Sequence, residues 1–227
     1  MSMSDSPASQ TPEAPRTSPR PTVWTFATLF AGLALAAAIG AKYFVHARSR
    51  APLPVLWTLP DWQLVDQQGR PFGARDLRGS VYIANFVFTS CVTECPRLSR
   101  RMSHLQPEAY AHPGRVRLVS ISVDPERDTP ERLREYLTHY RVDERVWTFV
   151  TGPEPAVTSL LLRGFRVAIE RPSADAQRPF DPVRLAHSNR FALVDGRGRL
   201  RGTYLDDEVE GPRLHGDLAF LLREAPR

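Results

Sequence analysis

Cysteine is almost missing from this chain: there are 2 in 227 residues. A single pair cannot build the disulfide lattice of a small secreted scaffold, nor the four thiolates of a structural zinc site. Cys91 and Cys95, four positions apart, therefore act together or not at all. Lysine is scarcer still, because Lys42 is the only one, and nearly all of the 30 basic residues are arginine. The same coding bias that enriches Arg, Ala and Pro explains this more simply than function does. Basic and acidic residues, 30 against 25 for a net charge of +5, are interleaved along the whole length. No block of about five like charges marks a nucleic-acid arm, so no nucleic-acid partner is expected. No internal repeat is visible. With 42% hydrophobic residues there is enough apolar material for a core, and the length suits one domain of about 150–180 residues plus extensions.

Those extensions lie at the N-terminus. Residues 1–22 hold five prolines and many hydroxyl residues but little that can pack, so an unstructured tail is expected. Residues 23–45 read VWTFATLFAGLALAAAIGAKYFV, uncharged before Lys42, with Trp24 and Tyr43 near the ends. Such a run spans a hydrocarbon layer of about 30 Å, and the aromatic ends fit its interfaces. A cleaved export signal is the competing reading, since Ala34-Leu35-Ala36 resembles a cleavage site. The run exceeds the usual apolar stretch of such signals and follows a long tail, which favours a membrane anchor. Arg16 and Arg20 before it balance Lys42, Arg48 and Arg50 after it, so charge does not fix its orientation. Residues 46–56 form a proline-containing spacer, and residues 57–227 the domain.

Within the domain, DWQLVD (61–66) and the Gln68-Gly69-Arg70 turn predict an opening hairpin. VYIANFVF (81–88) and VRLVSISV (116–123) are apolar, β-branched runs typical of strands covered on both faces. Helices are expected from Pro96 to Leu105, after an N-cap at Asp128 with Pro130 in the first turn, over 155–165, and over 212–222. A third strand at 146–150 and a hairpin of 191–195 with 200–205 complete the set. The alternation specifies an α/β fold with a mixed sheet, parallel crossovers first and an antiparallel pair last. The stretch 170–188 is left irregular, a length more often functional than idle.

The cysteines sit where a buried strand gives way to a helix. Unpaired N–H groups at a helix start favour thiolate, the form that attacks disulfides and binds metals. Two thiols at i and i+4 face the same side of one turn, fit for a reversible disulfide or for gripping one ion. Soft sulfur suits copper(I) and zinc, and copper(I) accepts three ligands. His46, His104, His112, His139 and His215 read as surface residues. His187 differs because it precedes the 191–195 strand, whose entry lies across from the cysteine turn in a thioredoxin-like arrangement, and neutral imidazole is a common metal ligand.

FVFTSCVTECP (86–96), VSISVDPERDTPERLREY (119–136), TFVTGP (148–153) and AHSNRFALVDGRGRLRGTY (186–204) together resemble the Sco/SenC family of membrane-anchored copper-binding proteins. The resemblance implies a thioredoxin-like fold that carries copper, Cu(I) or Cu(II), on Cys91, Cys95 and His187. It further implies assistance in assembling the CuA site of cytochrome c oxidase, with subunit II or another copper-accepting protein as partner. The expected location is the inner membrane, with the domain in the periplasm. Two departures concern affinity and redox poise: Ala186 stands where the family usually has an acidic residue, and Val92 where many members have proline. The rival reading is a thiol:disulfide reductase cycling Cys91 and Cys95, which would tolerate loss of His187. A thiol peroxidase is a weaker third reading.

Overall fold

Every residue of the run Val81–Val87 is buried, and the sheet is arranged around that requirement. The computed structural model describes residues 32–34, 36–37, 52–167 and 189–224, and the chain divides into two units, Met1–Ala51 and Pro52–Arg227. In the first, residues 32–34 and 36–37 are helical. No helix among the described residues is long and apolar enough to cross a membrane; most of the expected span at 23–45 lies outside them.

From Pro52 the elements run β1 (Trp57–Thr58), β2 (Gln63–Asp66), β3 (Pro71–Gly73), a 3-10 turn (Ala74–Leu77) and β4 (Val81–Val87). Then follow α1 (Glu94–Ser103), α2 (Gln106–Ala111), β5 (Val116–Ser122), α3 (Pro130–Thr138) and β6 (Trp147–Thr151). The last are α4 (Glu154–Ser159) continuing into a π-helical turn (Leu160–Phe165), β7 (Arg190–Val194), β8 (Arg199–Leu205) and α5 (Pro212–Glu224). The described strands form an eight-stranded sheet in the order β1-β8-β7-β4-β5-β6-β2-β3. β4, β5 and β6 are mutually parallel, whereas β7 runs antiparallel to β4 and pairs with β8 as a hairpin. This is the mixed sheet expected from the order of elements. α1 and α5 pack on β4, α2 on β5 and α3 on β6, and Trp147, Phe149, Phe191, Tyr204 and Phe88 fill the core.

Local chemistry accounts for the differences from the sequence reading. The cap expected at Asp128 is Thr129, whose hydroxyl accepts the Arg132 N–H at 3.4 Å. Pro130 has no N–H and takes the first helical position, so the cap falls on the residue directly before it. The helix expected over 155–165 becomes α4 plus a π-helical turn closed by Arg166 in the left-handed region. Trp57 holds that turn by donating its indole N–H to the Gly164 carbonyl at 2.6 Å. The helix expected to end at Leu105 continues after a break as α2.

The β7–β8 turn is built on Asp195, whose carboxylate accepts the N–H groups of Arg197 and Arg199, with Gly198 at φ +76° supplying the left-handed residue. Its other oxygen meets Arg201, which is 2% exposed. Arg201 also pairs with Glu224 at 2.9 Å and donates to the carbonyls of Leu53 and Pro54. One buried guanidinium thus fastens residues 53–54, within the stretch read as spacer, to the hairpin and to the end of α5.

Burial alone would raise the Asp195 pKa, but Arg199 and Arg201 outweigh it and hold the carboxyl below its ordinary value. The pair's contribution to stability is therefore complete above the unfolded carboxylate value of about 3.9, and is lost as pH falls through the depressed folded value. Substituting Arg201→Ala should destabilise the fold by about 2–3 kcal/mol at pH 7, because it leaves the buried Asp195 carboxylate with Arg199 as its one guanidinium partner and takes the donor from the Leu53 and Pro54 carbonyls, and should flatten the acid limb of the stability curve. Urea unfolding followed by tryptophan fluorescence between pH 3 and 7 measures both, and a loss below about 1 kcal/mol would show that the network carries no structural weight.

Candidate functional site

The first N–H groups of any helix lack intrahelical acceptors. At the start of α1 one of them, that of Cys95, donates to the Cys91 Sγ at 3.3 Å. Sulfur stands where a capping oxygen usually would, since Thr93 at the N-cap position makes no side-chain cap bond. The chain reaches this point through a tight turn in which the Cys91 N–H donates to the Phe88 carbonyl at 3.2 Å. The Phe88 N–H in turn lies 3.5 Å from the Cys95 Sγ. Both thiols are free, and the strand-to-helix junction brings them together as the sequence spacing predicts.

The two sulfurs are not equivalent. Cys91 is 8% exposed and Cys95 fully buried. For Cys91, burial opposes ionisation but is outweighed by hydrogen bonds from the backbone of Cys95 and Thr93 and from the Cys95 thiol and Thr93 hydroxyl, so its pKa is lowered. For Cys95, burial dominates; the Phe88 N–H offsets part of it, and the negative charge at Cys91 and Asp128 adds to it, so its pKa is well above the usual thiol range. The pair is arranged to hold one negative charge, on the outer sulfur.

A residue with no assigned role beyond a cap shapes this loop. Asp128 is fully buried. One carboxylate oxygen accepts the Thr89 N–H at 3.1 Å and the Thr89 hydroxyl at 2.6 Å, and the other accepts the Ser122 hydroxyl at 2.6 Å. It thereby ties the loop before Cys91 to the end of β5. Burial raises its pKa even though these three donors favour the charged form. A proline at the first helical position, which moves the cap to Thr129, is the sequence signal that frees Asp128 for this role.

The motif at 186–204 reaches the same place. Asn189 donates to Glu94, which lies between the two cysteines in sequence, at 3.2 Å, and Glu94 also pairs with Arg97, itself 3.0 Å from Asp206. His187 lies outside the described residues, as does the rest of the 170–188 stretch. Of the remaining histidines, His104 is exposed and bonded to Glu210 at 2.8 Å, and His215 contacts the Gly211 carbonyl at 2.9 Å. Neither joins the thiols, and among the described residues no group of three or more His, Cys, Asp or Glu side chains is placed to hold a metal ion.

In the reduced, metal-free protein iodoacetamide should modify Cys91 at least about tenfold faster than Cys95, and should do so below the usual thiol pKa of about 8.5. Asp128→Ala should accelerate modification of Cys95 and cost about 1–3 kcal/mol of stability, because it leaves Thr89 and Ser122 without their acceptor. Mass mapping of the alkylated peptides gives the order; modification of Cys95 first would contradict the asymmetry.

The SCO1/SenC family model matches residues 56–222. A candidate copper-binding protein of Stutzerimonas stutzeri is 33% identical over 151 residues, covering 66% of this chain and 70% of that protein. Among solved structures, a SCO1/SenC family lipoprotein from Bacillus anthracis is 29% identical with a TM-score of 0.63, covering 76% of this chain and 98% of that one. BsSco, described as a member of the Sco family of cytochrome c oxidase assembly proteins with a disulfide switch, is 26% identical with a TM-score of 0.60, covering 78% and 96%. The match spans the sheet, its helices and the cysteine junction alike, and on it the chain belongs to the SCO1/SenC family.

Proposed function

We propose that this chain carries copper on Cys91, Cys95 and His187 and assists assembly of the CuA site of cytochrome c oxidase. The observation that carries this reading is the pair of free thiols at the start of α1, with the outer one held in the thiolate-favouring state. Soft sulfur donors suit copper(I). A third ligand has to come from beyond the described clusters, and His187 is the proposed one. The Asn189–Glu94 contact supports this, because it joins the motif at 186–204 to the start of α1. The names of the Stutzerimonas relative and of BsSco point to copper and to oxidase assembly for those proteins, and we extend both to this chain. The apolar run at 23–45 supports a single-pass anchor; the inner membrane and the periplasmic side of the domain are extended from the family resemblance, not from the run.

The thiol asymmetry also suits a second reading, reduction of a partner's disulfide, in which Cys91 attacks and Cys95 resolves the mixed disulfide. The two readings separate at His187. Competition titration of the reduced full chain with copper(I) should give one equivalent bound, with Cys91→Ser, Cys95→Ser and His187→Ala each lowering affinity by at least about tenfold, as expected when one of three ligands is lost. Unchanged stoichiometry and affinity in Cys91→Ser and His187→Ala would overturn the copper reading. Retained reduction of a disulfide substrate by His187→Ala, without copper uptake by the native chain, would establish the reductase.

A further inference from the structure

Glu94 opens α1 and directly precedes Cys95. The helix dipole alone favours an acidic side chain in a first turn, but this one reaches further. One of its oxygens accepts from the Arg97 guanidinium and from the Asn189 side-chain amide, the latter at 3.2 Å. Arg97 in turn pairs with Asp206 at 3.0 Å. Asn189 immediately precedes β7 and Asp206 immediately follows β8, so the network ties the start of α1 to both open ends of the hairpin. The main chain leaves this connection to side chains. β4 and β7 are paired over residues 82–84 against 192–194 and no further, whereas β4 runs on to Val87 and the cysteine junction lies beyond it. Among the described strands, Arg190 and Phe191 pair with β8 and not with β4. The entry of β7 therefore meets the junction through Asn189 and Glu94.

We propose that Glu94 is a positioning residue for the third copper ligand: by holding Asn189 it sets the entry of β7 against the cysteine junction, and with it the run of chain that carries His187. The proposal rests on the copper reading above and adds a group that acts through the imidazole rather than through the sulfurs. Ala186 and Ser188 flank His187 in sequence, so no adjacent carboxylate restrains it. Restraint by a carboxylate comes instead from α1, through Asn189. Groups that hold a ligand in place contribute to metal affinity without touching the metal. Hydrogen bonding and charge make opposite demands at this contact, which separates a positioning role from simple attraction of a cation. Glu94→Gln keeps an acceptor oxygen for Asn189 and loses the charge. Asn189→Asp sets a carboxylate against a carboxylate, which breaks the hold while adding negative charge.

The test uses the reduced full chain in detergent, titrated with copper(I) against bathocuproine disulfonate, with each variant made in the native and the His187→Ala background. Glu94→Ala and Asn189→Asp should each lower affinity by about tenfold, as for loss of a group that orients a ligand, and by no more than His187→Ala does. In the His187→Ala background neither should lower it further, and Glu94→Gln should restore affinity to within about twofold of native. A readout free of copper accompanies these. In the metal-free chain, hydrogen exchange of the peptide spanning 189–193 should quicken at least about threefold in Glu94→Ala and Asn189→Ala, because the strand entry is released. Losses equal with and without His187, tighter binding by Asn189→Asp, or native exchange in both alanine variants would overturn the positioning role alone. Absence of copper(I) uptake by the native chain, or native affinity in His187→Ala, would overturn the copper reading and this proposal with it.

Discussion

The hydrogen bond from the Cys95 N–H to the Cys91 sulfur is where the backbone's needs and the site's chemistry coincide. A helix beginning inside a protein must find acceptors for its first N–H groups or leave them unsatisfied at a cost. Here Thr93 makes no cap bond, and a sulfur takes up one of those donors. A thiolate accepts a hydrogen bond better than a thiol does, so completing the helix and ionising Cys91 favour each other. The spacing of four follows from the same geometry. The second cysteine lies just inside the helix and the first just ahead of it, close enough to receive the bond.

Holding the sulfur there requires a loop that does not drift, and the structure supplies this from two directions. From below, β4 is buried throughout, with β5 and β7 hydrogen-bonded on its two sides, and it ends directly beneath the turn. From the side, Asp128 joins Thr89 to Ser122. A buried carboxylate is costly unless its lone pairs are met, and three donors meet these. Its charge adds to the penalty on ionising Cys95. The clamp therefore does two things through one group: it fixes the loop and keeps the inner thiol protonated.

Much of this was legible in the sequence. Apolar runs bounded by turns marked the strands, because burial on both faces leaves a pattern that does not depend on distant contacts; the mixed sheet followed from element order. The cysteine pair was legible for the same reason, being local to one junction. What was not legible depends on contacts between residues far apart in the chain. Asp128 reads as a cap until its partner Thr89, 39 positions away, is seen. His139 reads as a solvated helix residue, and it is exposed, but α3 brings it to the groove that Cys91 lines. The pinning of Leu53 and Pro54 by Arg201, nearly 150 positions on, leaves no trace in a Pro-rich spacer. The short β1 strand at Trp57–Thr58 likewise exists only because β8 offers an edge.

The unequal sulfurs bear on copper binding and on thiol redox chemistry alike. Two adjacent thiolates in a buried setting repel each other and lose solvation, so the second ionisation is strongly opposed. The metal-free pair is left with one charge and one proton. A soft cation at the outer sulfur would draw the second proton off; oxidation to a disulfide removes the one charge and the one proton by another route, its two electrons passing to an external oxidant. Metal binding and disulfide formation thus both require the Cys95 proton to leave, and whatever raises the Cys95 pKa opposes each. For that reason Asp128 and the burial of Cys95 act on copper retention and on thiol oxidation together, and a substitution that shifts one without the other must act on a group specific to the metal, such as a third ligand.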